Sequence, residues 1–142
     1  MDAHSFFTSQ KISQLASQAA SAIVRVRNAD TLRQVRDASH VVIPSYLGPA
    51  AHCVPELRKL KQAKESRVKE LVDLDLAKFD AIASKHDSVL ERIEQLKTAY
   101  GDIRQHHWVF LRGEHGTLYV TATRHVERLI SQLQAQVSTT PD

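Results

Sequence analysis

The sequence predicts an all-α protein: an elongated helical hairpin or bundle with a long central coiled-coil helix and a short helix that folds back at the C-terminus. The chain of 142 residues contains only four glycines and four prolines, too few to punctuate a many-stranded sandwich or barrel. Its 42% of hydrophobic and 25% of charged residues are ordinary for a folded protein. Apolar residues recur at steps of three and four, which is the spacing of one helix face. The length fits a single helical domain over residues 1–142.

The first predicted element is an N-terminal helix or helix pair within residues 5–43. Its polar side is rich in Ser and Gln and nearly free of charge. The triplet Asn28–Asp30 either ends a first helix, with Asp30 as the N-cap of a second, or marks a phase slip in one continuous helix. Both versions end before Pro44. The apolar stripe consists of Ile12, Leu15, Ala19, Ala22 and Val26.

The next segment, residues 44–54, is predicted to be an interhelical loop because it contains Pro44, Gly48 and Pro49. Pro55 then suits the first turn of a helix, where its missing N–H would have no partner anyway. The long helix is therefore predicted over 55–110, a length of roughly 80 Å at about 1.5 Å per residue.

A heptad pattern runs through the second half of this predicted helix, after an interruption near Asp75. A strict seven-residue period over about four heptads favours a supercoiled partner helix in the same or another chain. We call these residues the seam: Phe79, Ile82, His86, Val89, Ile93, Leu96, Tyr100 and Ile103. The seam, together with Trp108 and Phe110, is the predicted protein-interaction surface.

The C-terminal segment, residues 117–137, is predicted to be a helix that folds back, with apolar residues again at steps of three and four. Trp108 and Phe110 are predicted to anchor it, because they precede a glycine-bounded turn. The alternative is a small β-hairpin near 108–121, since residues 117–123 favour β structure.

Nothing in the sequence indicates a reaction. It contains no phosphate-binding loop, no H-E-x-x-H or G-x-S-x-G motif and no paired cysteines. The histidines include no pair at i and i+4, and Cys53 is the single cysteine. We therefore predict no enzyme and no catalytic, cofactor-binding or metal-binding residue. The prediction is a structural subunit that assembles into a larger complex through its seam.

Two other kinds of partner are alternatives. The stretch Phe6–Val26 is similar to amphipathic segments that bind membrane surfaces, and its Lys11 and low acid content also fit a mitochondrial targeting segment. The basic stretch 58–69 is a weaker nucleic-acid candidate, because the net charge of +3 is mild and the stretch has no stacking aromatics. The lone cysteine and the lack of a secretory signal predict an intracellular, cytoplasmic protein.

Overall fold

Helices make up the fold. The computed structural model describes residues 3–139, with side chains described from 7 to 137. Strands are absent from residues 3–139, which confirms the all-α prediction. The chain divides into two compact units, of which the first ends at Val68 and the second begins at Lys69.

The first unit contains the predicted helix pair. Helix α1 spans Ala3–Arg27 and helix α2 spans Leu32–Ala38. A segment of 3-10 helix follows at Ser45–Cys53, and helix α3 begins at Pro55 as the sequence predicted and ends at Ala83. Residues 5–43 therefore contain two helices and not one continuous helix.

The junction between α1 and α2 is capped one residue later than predicted. Thr31, not Asp30, is the N-cap of α2, and its hydroxyl accepts a hydrogen bond of 3.1 Å from the Gln34 amide. The Gln34 side chain in turn accepts 2.7 Å from the Asp30 amide. This arrangement resembles a capping box, except that the Gln34 side chain accepts from the amide one residue before the N-cap and not from the N-cap amide itself. The Arg67 guanidinium donates 2.8 Å to the Ala29 carbonyl and fastens the junction to α3.

The predicted loop at 44–54 is folded into two 3-10 turns joined at Gly48. Gly48 has φ 65°, a left-handed conformation that side chains with a Cβ disfavour. The kink lets both turns contribute to the core of the first unit. The central cluster of that core consists of Leu15, Leu47, Ala51 and Val54.

The predicted long helix over 55–110 is wrong, because the chain turns at residues 84–88. Helix α4 begins at Val89 and ends at His106, with Ser88 as its N-cap. The Ser88 hydroxyl accepts 3.2 Å from the Glu91 amide, and the Arg92 guanidinium donates 2.6 Å to the Ala83 carbonyl at the end of α3. These bonds satisfy backbone groups at both sides of the break.

The C-terminal segment is helical from its start. Trp108–Leu111 form a turn of 3-10 helix and helix α5 spans Gly116–Thr139, so the β-hairpin alternative near 108–121 is wrong. A β-favouring composition is overridden here because Ala122 and Val126 lie on one face of α5 and are fully buried. Helix α5 packs on α4, where the Tyr100 hydroxyl of α4 donates 3.2 Å to the Glu127 carboxylate of α5.

Candidate interaction surfaces

The seam residues are divided between the end of α3, the turn at residues 84–88 and α4, instead of lying on one long helix. Ala83 meets Arg92 beside the turn, while Asp75 meets Trp108 at the far end. Ile82, Val89, Tyr100 and Phe110 are half-buried, and His86 is exposed in the turn. The members of the predicted interaction surface that are buried inside the unit are Phe79, Ile93, Leu96, Ile103 and Trp108.

Trp108 is the centre of this core. Its side chain is fully buried and its indole Nε1 donates 3.1 Å to the carboxylate of Asp75, which is itself only 5% exposed. The Phe79 ring packs edge-on against it at a centroid distance of 5.7 Å, and the Tyr100 ring does so at 6.4 Å. Both distances suit favourable edge-to-face aromatic pairs. These contacts join Trp108 to α3 and α4, and its role as an anchor of residues 117–137 stays a prediction.

Asp75 is the feature that the sequence prediction missed. The interruption that the pattern showed at this residue is a carboxylate on the buried stripe of α3, four residues after Leu71 and four before Phe79. His107 Nδ1 and Lys78 Nζ each lie 3.8 Å from the carboxylate. A buried carboxylate is costly unless it is hydrogen-bonded, and the indole N–H of Trp108 supplies that bond.

Tyr100 joins this core to the surface. Its hydroxyl bonds to Glu127, and the Arg104 guanidinium lies over its ring at 5.1 Å. Burial raises the pKa of the Tyr100 hydroxyl above its usual value of 10.0, and the negative charge of Glu127 raises it further. Ionisation of this hydroxyl would place two negative charges side by side.

An open groove of about 620 Å³ lies along the side of α4, next to the end of α3. We call it the α4 groove. Ile82 is the only seam residue that lines it, and Lys85, Glu94 and Asp102 place charges of both signs around it. Its remaining lining residues are Gln95, Thr98 and Ala99.

The N-terminal segment uses its apolar stripe inside the first unit. Leu15, Ala19, Ala22 and Val26 are buried there, while the side chain of Phe6 lies outside the described residues. Phe7 is the exception, because it is 46% exposed and pairs with the 64% exposed ring of Tyr46 at 6.2 Å. Lys11 lies over the Phe7 ring at 5.4 Å.

Within the described part of the chain, no helix is long and apolar enough to cross a membrane. The same residues contain no group of three or more His, Cys, Asp and Glu side chains placed to hold a metal ion. Cys53 is a free and exposed thiol. In the basic stretch 58–69, Arg67 bonds to the Ala29 carbonyl and Lys69 pairs with Asp73 at 3.0 Å, so part of its charge is used within the fold.

Comparison with known proteins finds no relative of this chain. No protein family, no curated protein and no solved structure matches the chain.

Proposed function

We propose that this protein is a non-enzymatic assembly subunit of an intracellular complex, and that it associates by helix packing in the α4 groove. A second copy of the chain is the proposed occupant. The observation that carries the proposal is that Ile82, a seam residue that its own unit leaves half-buried, lies in an open groove beside a helix. Ridges of side chains on a partner helix fit grooves of this kind.

The charges of the α4 groove favour a second copy as the occupant. Lys85 lies in the turn before α4, whereas Asp102 lies near the C-terminal end of α4. In a two-fold symmetric pair of antiparallel α4 helices, the Lys85 end of each copy meets the Asp102 end of the other. The two ends of the groove are thus complementary to each other, which the ends of a groove of one charge sign would not be. Glu94, midway between them in the chain, would lie near Glu94 of the other copy.

The test is the oligomeric state of the pure chain, measured by light scattering over a range of concentrations. We expect a dimer that Thr98→Arg dissociates, because Thr98 is exposed in the groove and an arginine would fill it. The matched control is Thr121→Arg, the same change at an exposed position of α5 outside the groove. A monomer at all concentrations, or equal weakening by both variants, contradicts the proposal.

A membrane-surface adaptor is the second candidate function, and the exposed pair of Phe7 and Tyr46 beside Lys11 favours it. Aromatic rings next to a cation suit the boundary between lipid headgroups and acyl chains. Flotation with vesicles of phosphatidylcholine and phosphatidylserine tests it. We expect Phe7→Ala with Tyr46→Ala to abolish flotation, and the control Val24→Ala, at a 57% exposed position of the same helix, to leave it unchanged. Absence of flotation by the natural sequence would exclude this candidate.

A further inference from the structure

A second groove, of about 470 Å³, lies in the first unit between the segment after α2 and the start of α3. We call it the basic groove. Its apolar wall is formed by Val41, Ile43, Leu57 and Leu60. Val41, Ile43 and Leu57 also pack against the core cluster of the first unit, so this wall is held in place from behind. Ser39, His52, Arg58 and Lys61 complete the lining.

The charges of the basic groove have one sign. Arg58 and Lys61 are exposed cations, His52 is a third group able to carry positive charge, and no Asp or Glu lines the groove. Neither Arg58 nor Lys61 makes an ion pair with any described residue. The groove therefore combines an apolar wall with cations whose charge the unit does not neutralise locally.

The start of α3 carries an excess of positive charge. Its first ten residues, Pro55–Lys64, include four Lys or Arg but only one acidic residue, Glu56. Glu56 lies in the first turn, where the partial positive charge of a helix N-terminus favours an anion. The cations beyond it are not balanced in this part of α3, and carboxylates from a partner would be attracted to them.

We propose that the basic groove binds an acidic amphipathic helix of a protein partner. The apolar stripe of the partner helix would pack against Ile43, Leu57 and their neighbours, while its glutamates or aspartates would pair with Arg58 and Lys61. Helix-in-groove recognition uses this division, in which apolar anchors provide the contact area and charges at the rim provide steering and specificity. The site lies in the first unit and is independent of the α4 groove.

The same observations argue against two other classes of anionic partner. A nucleic acid has no aliphatic side chains to fill an apolar wall, and the groove offers no aromatic ring for a base to stack on. A membrane surface is broad and binds protruding apolar groups, whereas the apolar residues here are half-buried or buried in a concave site.

The experiment uses the full chain and a fluorescein-labelled designed peptide of about sixteen residues, with leucines at helical spacing and glutamates elsewhere. Fluorescence anisotropy measures its affinity at several salt concentrations. We expect binding that weakens with salt, and a loss of roughly tenfold or more in the double variant Arg58→Glu, Lys61→Glu. Both positions are exposed, so the fold should be retained, which circular dichroism checks.

The matched control is the double variant Arg33→Glu, Lys59→Glu. It makes the same change in net charge at exposed positions of the first unit that do not line the groove. We expect the control to change the affinity by no more than about twofold. Equal losses in the two double variants would show unspecific attraction and overturn the proposal. Equally strong binding of a peptide with lysines in place of the glutamates, or capture by phosphatidylserine vesicles without peptide binding, would also overturn it.

Discussion

The two units build their cores from side chains of different size. In the first unit the completely buried residues are small, as at Ala19, Ala22 and Ala51, and the largest of them are valines. In the second unit they include Trp108, Phe79 and two leucines. Small residues let helix backbones approach closely, whereas large ones fill space between helices that lie further apart. The first core therefore requires small side chains, and the second requires large ones.

The units also differ in polarity. Asp75 is the one buried charged residue among those that the structure describes, and it belongs to the second unit. Its hydrogen bond to Trp108 joins residues 33 positions apart in the chain. The second core is thus centred on one large residue that is both an apolar anchor and the donor to a buried carboxylate.

Removal of that anchor should have the largest effect. We expect Trp108→Ala to destabilise the protein by about 3–5 kcal/mol, because it creates a cavity and leaves Asp75 without its donor. Hydrogen exchange should accelerate in residues 69–139 more than in 7–68. Trp108→Phe keeps much of the ring but loses the N–H, so it should cost about 1–3 kcal/mol. Unchanged stability in Trp108→Ala would contradict the anchoring role.

The converse experiment adds bulk to the first unit. Ala19 is completely buried in α1, while its neighbour Ala20 is exposed. We expect Ala19→Leu to destabilise the protein by about 1–3 kcal/mol through overpacking, and Ala20→Leu to change stability by less than about 0.5 kcal/mol. Chemical denaturation measures both. If the two substitutions have the same effect, the first core is not limited by close packing.

The sequence predicted the elements with strong local signals. Pro55 marks the start of α3 because proline fits a first helical turn, and the three-and-four spacing of apolar residues predicted α1 and α5. The prediction from sequence failed at residues 84–88, because the apolar spacing from Phe79 to Ile93 continues through them as in an unbroken helix. The sequence does contain a helix-start pattern at this place, since Ser88 is followed three residues later by Glu91.

The candidate sites were predicted less well than the helices, for a physical reason. The basic groove combines residues 41–43 with apolar and cationic side chains of α3, and the spacing within either segment does not indicate that they meet. In the sequence, Asp75 only interrupts the heptad pattern, because Trp108, which donates a hydrogen bond to it, lies 33 positions away. Local periodicity identifies which face of a helix is buried, but it does not identify what that face packs against.

Two glycines provide a smaller test of backbone conformation, one in each unit. Gly101 lies within α4, where an added Cβ would meet nothing, whereas Gly48 has a positive φ of 65°. We expect Gly101→Ala to stabilise the protein by about 0.5–1 kcal/mol and Gly48→Ala to destabilise it by about 1–2 kcal/mol. Thermal denaturation should show melting temperatures that move in opposite directions. Shifts of the same sign would contradict one of the two assignments.

The smallest expected effect is a pH dependence at the edge of the second core. The pKa of Tyr100 is raised in the folded protein, chiefly by burial and then by Glu127. Below pH 10.0 the hydroxyl is therefore protonated in both the folded and the unfolded state, and its contribution to the free energy of unfolding is fully present. As the pH rises further, the unfolded chain loses this proton first, and the contribution is lost as the pH passes the folded pKa.

The difference in unfolding free energy between the natural sequence and Tyr100→Phe should therefore shrink above pH 10.0. Denaturation curves collected at increasing pH measure it. Glu127→Gln is the second variant, because it removes the neighbouring negative charge while retaining an oxygen that accepts the Tyr100 hydrogen bond. In the Glu127→Gln variant, the stability contributed by Tyr100 should fall less steeply with rising pH but should still fall, since burial is the larger cause of the raised pKa. An undiminished loss would assign the whole effect to burial and remove Glu127 from the explanation.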